Sequence, residues 1–405
     1  MNQLTQEELA QTNGRLDNQS KLYVQPKLSR LQFYLLMAFY LIAGGMVTIT
    51  LKVQNIQISQ VDGKPFQWQH PFVQVLFMFI GEMTSGLIYI SLFRKSFKAQ
   101  RLSRMSSFDN TQKEVANPFV YAIPASTDTI ASFMVFFGLT QIQASVYQMM
   151  KGFIVVVTAI LSVVFLKRQQ YYHHFIGIFL VVLGVGTVGF SAYFRSNEAE
   201  SSNLIMGMLF VLGGQTFQAF HLVIQDHYLK KYDIHQFQLI GWEGIWGIVI
   251  LSVLLPIFQQ IPCDQPYCVN GKIEDSVLAF NEILSNWYLA LFIFLYFLAI
   301  AFYNGLGITI TKYASCVHQT VTDQSRVLLV WTFFILYPGI AQEEFRTLQF
   351  LGFCIIVTGN FIYNEIIRLN KESKMFKDDD ELLENDSNEF QQTSKQSLIP
   401  KNQLQ

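Results

Sequence analysis

Stretches of about twenty apolar residues, separated by polar connectors, recur from about residue 31 to about residue 367. Twenty residues of α-helix cover roughly 30 Å, the thickness of a bilayer's hydrocarbon core. The pattern predicts spans at about 31–51, 71–93, 118–140, 143–166 and 172–194, then at about 203–229, 237–258, 287–311, 317–338 and 347–367. The expected fold is all-α and integral to a membrane, with ten transmembrane helices. Residues 1–30 and 368–405 are polar and read as tails.

An even number of crossings puts both tails on one side, and basic residues in short connectors decide which. The 94–117 connector carries Arg94, Lys95, Lys98, Arg101, Arg104 and Lys113, and Lys167, Arg168, Lys230, Lys231 and Lys312 fall on the same side. The alternate connectors hold only Lys52, Lys64, Arg195, Lys272 and Arg346. Both tails are therefore expected in the cytosol. The N-terminal thirty residues, with Arg15, Lys21, Lys27 and Arg30, lack the apolar core of a signal peptide and are expected to stay uncleaved.

The two halves echo each other. Glu82, Gly86 and Ser91 have the same spacing as Glu243, Gly247 and Ser252; Gly177 and Gly184 are matched by Gly352 and Gly359; and S-V-Y-Q at 145–148 is matched by C-V-H-Q at 316–319. Five crossings per half is an odd number, so the second copy enters from the opposite side. The domains predicted are two inverted five-helix repeats, 31–194 and 203–367, with solute expected near the midplane at their interface. The spacing of Gly177, Gly184, Gly186 and Gly189, and of Gly352 and Gly359, suits close helix packing in lipid.

Composition agrees. Only 14% of the 405 residues are charged, against about a quarter in soluble domains, and mean hydropathy is +0.29. A net charge of −1 gives no footprint for nucleic acid. No cofactor motif occurs, and His173 and His174 supply too few ligands for a metal site. Cys263 and Cys268 stand in a connector expected on the non-cytosolic side, where either a disulfide or two thiols is open. Cys316 and Cys354 read as packing residues.

Against this apolar background six ionisable residues need explaining: Glu82, Asp128, Lys151, Glu243, Asp323 and Arg326. Each costs about 2.5–3.5 kcal/mol at the centre of a membrane helix, so such residues pair or line a polar cavity. Four acids against two bases leaves room for a proton, a metal ion or a cationic solute as the missing partner. Glu82 and Glu243, at equivalent repeat positions, are the expected proton-exchanging pair. Lys151 and Arg326 are expected to point into one cavity from opposite repeats, with Asp128 and Asp323 as resting counter-ions. Gln148, Gln215, Gln218 and Asn304 add neutral donors and acceptors at membrane depth, and Tyr147, Tyr303 and His221 are rings on which a planar solute can stack.

Seven stretches carry a resemblance: W-Q-H-P-F-V-Q at 68–74, M-F-I-G-E at 78–82, P-A-S-T-D at 124–128, Y-Q-M-M-K-G at 147–152, W-E-G-I-W-G at 242–247, N-G-L-G-I-T-I-T-K at 304–312 and D-Q-S-R at 323–326. In this order they resemble the sixth-member group of the F subfamily of solute carrier family 35. These are nucleotide-sugar-transporter-like members of the drug/metabolite transporter superfamily, of the EamA-like type. The resemblance covers nearly all of residues 31–368 and implies ten helices in two inverted repeats and a carrier of small organic solutes. It departs at Lys151, where the family has arginine; lysine keeps the charge and loses the two-pronged geometry.

Beyond the last span the composition cannot build a packed domain. Asp378 to Leu383 reads D-D-D-E-L-L, an acidic dileucine pattern in which Asp378, Leu382 and Leu383 would engage cytosolic sorting adaptors. With the lysosomal-type membrane that the resemblance implies, the expectation is a multi-pass endolysosomal carrier, with protons a candidate coupling ion. A Golgi or ER nucleotide-sugar antiporter and a non-transporting membrane scaffold are the alternatives. No nucleophile, base and orienting group recur at one depth, so no enzyme is expected.

Overall fold

The structure is a computed structural model that describes residues 30–98, 116–166, 172–193, 198–263, 268–314, 316–337 and 347–363. Its helices are α1 Arg30–Asn55, α2 Pro71–Ile88, α3 Ala122–Gln141, α4 Ala144–Met150, α5 Phe153–Leu166, α6 Tyr172–Tyr193, α7 Glu198–Lys231, α8 Gln236–Gln260, α9 Ser276–Ser285, α10 Trp287–Tyr313, α11 Cys316–Leu336 and α12 Thr347–Tyr363. Eight helical segments among the described residues are long and apolar enough to cross a membrane, α4 and α5 counting together as one. The expected ninth and tenth spans are occupied by α11, which carries Asp323 and Arg326, and by the shorter α12.

The burial pattern is that of a protein whose solvent is lipid. Phe165, Phe179, Leu209 and Phe302 are each more than 60% exposed, while Glu82, Asp128, Glu243 and Arg326 are buried. Apolar side chains therefore face outward and the charges face the bundle interior, as insertion costs require.

Helices pair as α1 with α10, α2 with α8, α3 with α7, and α6 with α12. The pairs close where glycines meet. A methyl group on Gly241 would stand 2.4 Å from the Gly86 Cα, and one on Gly177 would stand 2.8 Å from the Gly359 carbonyl oxygen. Packing at this distance is how helices associate where lipid removes the hydrophobic drive. Gly184 and Gly352 repeat the contact, but Gly186 faces open space and Gly189 reaches only the Met208 sulfur, so those two are not part of the seam.

Two features lie outside an all-α description. Residues 58–67 form a hairpin, β1 Ile58–Val61 with antiparallel β2 Lys64–Gln67, turning at Asp62 and Gly63, both at positive φ. An Asp-Gly pair is the sequence such a two-residue turn demands. The connector after α8 is also built: Asn270 and Gly271 make a second positive-φ turn, Cys263 and Cys268 are joined as a disulfide, and α9 is capped by Asp275, whose carboxylate accepts from the Leu278 N–H at 3.1 Å. Burial would raise the Asp275 pKa; hydrogen bonds from Asn270, Gln259, Leu278 and Lys272 outweigh it and hold the carboxyl down to about 2. Hairpin and connector cover one end of the bundle, where Asn286 donates to the Ile58 carbonyl at 3.2 Å.

Candidate functional site

The fourth span is broken. The helix ends at Met150 and restarts at Phe153, with Lys151 and Gly152 in the turn between. Gly152 sits there because a side chain would run into the Ile356 methyl at 2.8 Å. The carbonyl of Lys151 accepts from the Gln324 side chain at 3.3 Å. Irregular backbone is tolerated at membrane depth where it lines a cavity and its polar groups find partners. The break turns Lys151 into the interior.

Around it lies a cavity with about 920 Å3 between its walls, counting the part open to solvent. At one end stand Lys151, Asp323 and Arg326 with three tyrosines. Arg326 is 1% exposed; its Nη2 lies 3.0 Å from Asp323 Oδ2 and its Nη1 donates to the Gly44 carbonyl at 3.3 Å. The Tyr303 hydroxyl donates to Asp323 Oδ1 at 2.9 Å, its ring stacks on Tyr40 with centroids 4.8 Å apart, and the guanidinium lies 4.9 Å from the same ring. Lys151 is held more loosely, its Nζ 3.9 Å from Asp323 and 5.4 Å from the Tyr147 centroid.

The other end is acidic. Asn304 donates to Glu82 Oε1 at 2.5 Å, and Glu82 Oε2 has no partner among the described residues although the side chain is 2% exposed. His221 stands between two carboxylates, its Nε2 donating to Glu243 Oε2 at 3.2 Å and its Nδ1 lying 3.7 Å from Asp128 Oδ1. The Gln218 amide lies 3.0 Å from that same Nδ1, and Gln225 donates to Glu243 at 2.7 Å. Gln215 lines the cavity with neither amide atom bonded among the described residues.

The structure thus brings Glu82, Asp128, Lys151, Gln215, Gln218, Asn304, Asp323 and Arg326 to one cavity wall. Gln148 and Glu243 stand behind it. Gln148 donates to the Thr48 hydroxyl, and Glu243 holds His221 and Gln225 from the rear. Asp128 lies against His221 and not against Lys151 or Arg326; among the described residues Asp323 is the carboxylate that serves both cations. His221 and Tyr303 are not free stacking platforms, since carboxylates hold the first and Tyr40 with Arg326 covers the second. The sequence reading missed the role of His221 and the buried Asp226, which pairs with Lys230 at 2.8 Å. The four-residue spacing of Asp226 and Lys230 on one helix was the available signal. Asp378, Leu382 and Leu383 lie outside the described residues.

Membrane-crossing helices packed around a buried, charged cavity define a multi-pass membrane protein that transports solutes. Residues 30–241, just over half of the 405, match the nucleotide-sugar transporter family, and the chain belongs to that family. It is 29% identical to "Solute carrier family 35 member F6" of Homo sapiens over 335 residues, 81% of this chain and 87% of that protein. An uncharacterized protein of Schizosaccharomyces pombe is 30% identical over 249 residues, 61% of this chain and 74% of its own length. "Solute carrier family 35 member F2" of Mus musculus aligns at 26% identity over 140 residues, 34% of this chain and 37% of that protein.

Proposed function

We propose that the protein is a secondary carrier that moves a small organic solute by alternating access, through ten crossings arranged as two inverted five-helix repeats. The observation that carries this reading is the single cavity into which both halves send ionisable groups, Asp128 and Lys151 from one, His221 and Arg326 from the other. Helix pairing supports the repeat. Exchanging each span for its counterpart turns the α1–α10 pair into the α7–α3 pair and leaves α2–α8 and α6–α12 unchanged, as a twofold relation requires.

Proton coupling belongs to the same proposal. The Nδ1 of His221 has both an amide and a carboxylate in reach, so a neutral ring accepts from Gln218 and a protonated ring faces Asp128. Glu82, with one oxygen unpartnered beside it in the cavity, is the other proton acceptor. The test is uptake into proteoliposomes against an imposed pH gradient. The expected result is wild-type uptake that follows the gradient and Glu82→Gln uptake that ignores it and falls about a hundredfold, the low end of the usual range for a proton-transfer group. Uptake indifferent to the gradient in both removes the proton from the mechanism.

We place the carrier in an endolysosomal membrane with both tails cytosolic, addressed by adaptors that read Asp378, Leu382 and Leu383. A tagged Leu382→Ala, Leu383→Ala protein is expected to redistribute to the cell surface. A second reading, a Golgi or ER nucleotide-sugar antiporter, is favoured by the family's description. Competition of uptake by nucleoside diphosphate sugars separates the two.

A further inference from the structure

The charges of the cavity are sorted by sign. We propose that the solute is a small zwitterion, whose acid group is held by Lys151 and whose amine is held by Glu82; this rests on the carrier reading above. At the basic end two basic side chains, Lys151 and Arg326, stand against one carboxyl group, that of Asp323. Arg326 is engaged by Asp323 and the Gly44 carbonyl, whereas Lys151 has no side-chain hydrogen bond among the described residues, and its ammonium is 3.9 Å from the nearest carboxylate oxygen. An ammonium that is 15% exposed and unbonded at a cavity wall is a seat for an anionic oxygen.

At the other end three carboxyl groups, those of Glu82, Asp128 and Glu243, stand against one histidine. Among the described residues, Glu82 Oε2, on a side chain 2% exposed, and Glu243 Oε1 are buried without a partner, as are both amide atoms of Gln215, which lines the same cavity and is 1% exposed. A buried carboxylate oxygen without a donor is costly to keep, and an ammonium supplies donor and charge together. A dianionic nucleotide sugar would meet attraction at Lys151 and repulsion at Glu82, and an organic cation would meet the reverse. A zwitterion matches the sign of the groups at both ends.

Matched probes test the charge pattern: a pool of α-amino acids, the same pool N-acetylated so that only the anion remains, and the same pool as carboxamides so that only the cation remains. Each is read by thermal shift of the purified full-length protein and by uptake into proteoliposomes, with nucleoside diphosphate sugars as a fourth arm. We expect the zwitterion pool to shift the melting midpoint at least threefold more than either single-charge pool. Glu82→Gln is expected to move the preference toward the N-acetyl pool and Lys151→Gln toward the carboxamides. An equal or larger shift from the N-acetyl pool or the nucleotide sugars, no shift from any pool, or unmoved preferences in both folded variants overturns the proposal. The wild-type arms decide even where a variant does not fold. Zwitterion binding without uptake of any pool would overturn the carrier reading and leave the charge match standing.

Discussion

Among the described residues, two histidines are each held between two carboxylates; one lines the central cavity and the other is 0% exposed. His221, in the bundle, lies 3.2 Å from Glu243 and 3.7 Å from Asp128, with the cavity beside it. His70, at the start of α2, lies 2.5 Å from Glu274 and 3.2 Å from Glu282, and all three side chains are 0% exposed. The second cluster is dry. It is roofed by Trp68, whose ring centroid is 4.8 Å from that of His70, and it ties the first half of the chain to the connector before α10. A histidine between carboxylates is therefore not in itself a transport site. Space beside the cluster separates a group that can exchange protons and partners from a group that fastens two segments together.

If that distinction is right, breaking the dry cluster costs stability and breaking the wet one costs turnover. The largest effect is expected from His70→Ala, which leaves Glu274 and Glu282 buried without their shared cation. Removing one member of a buried charge set destabilises by about 3–5 kcal/mol. Denaturant titration of the detergent-solubilised protein measures this, with solute binding at saturating concentration unchanged in the fraction that stays folded. A loss under about 1 kcal/mol would mean the cluster is wetter than its burial indicates.

Next in size is the pH dependence of the same fastening. Burial lowers the His70 pKa, but the hydrogen bonds and charge of Glu274 and Glu282 outweigh it and hold the imidazole up to about 9. The unfolded chain releases that proton near 6.5. The folded state thus binds the proton more tightly, so this stability is complete below about pH 6.5 and is lost as pH rises through about 9. The full span is on the order of 3 kcal/mol. The melting midpoint is expected to fall between pH 6.5 and 9 in the wild type, and the slope due to this site to vanish in His70→Gln. An acidic compartment would keep the fastening closed.

Much of the bundle was legible in the sequence, because twenty-residue apolar runs have few other uses and buried charges at membrane depth must gather. Glu82, Asp128, Lys151, Asp323 and Arg326 were found on that argument alone, and the structure brings them to one cavity. The details of partnering were not legible. Asp128 faces His221 instead of the cations because α3 packs on α7, and long-range pairing of that kind leaves no local pattern. The break at Lys151 and Gly152 hides inside an apolar run, where a helix and a broken helix have the same composition. The dry cluster was missed because Glu274 and Glu282 lie in a stretch polar enough to read as solvated loop. Its clues were Asp62-Gly63 and Asn270-Gly271, which announce tight turns and hence a built connector.

The smallest expected effect on stability is the most informative about function. In His221→Gln the amide can still donate to Glu243, which keeps its other donor, Gln225 at 2.7 Å. What is lost is the ring between Asp128 and Glu243, the group proposed to exchange the proton. Folding stability is expected to change by less than about 1 kcal/mol, in contrast to the His70 variants, since a satisfied polar network remains. Transport is expected to fall about a hundredfold, or roughly 2.7 kcal/mol in activation free energy, with the loss concentrated where an imposed pH gradient drives uptake. Equal losses of stability in His221→Gln and His70→Ala would make both clusters fasteners. A His221→Gln protein that folds and transports as the wild type does would move the proposed proton pathway to Glu82, the other proton acceptor proposed for the cavity wall.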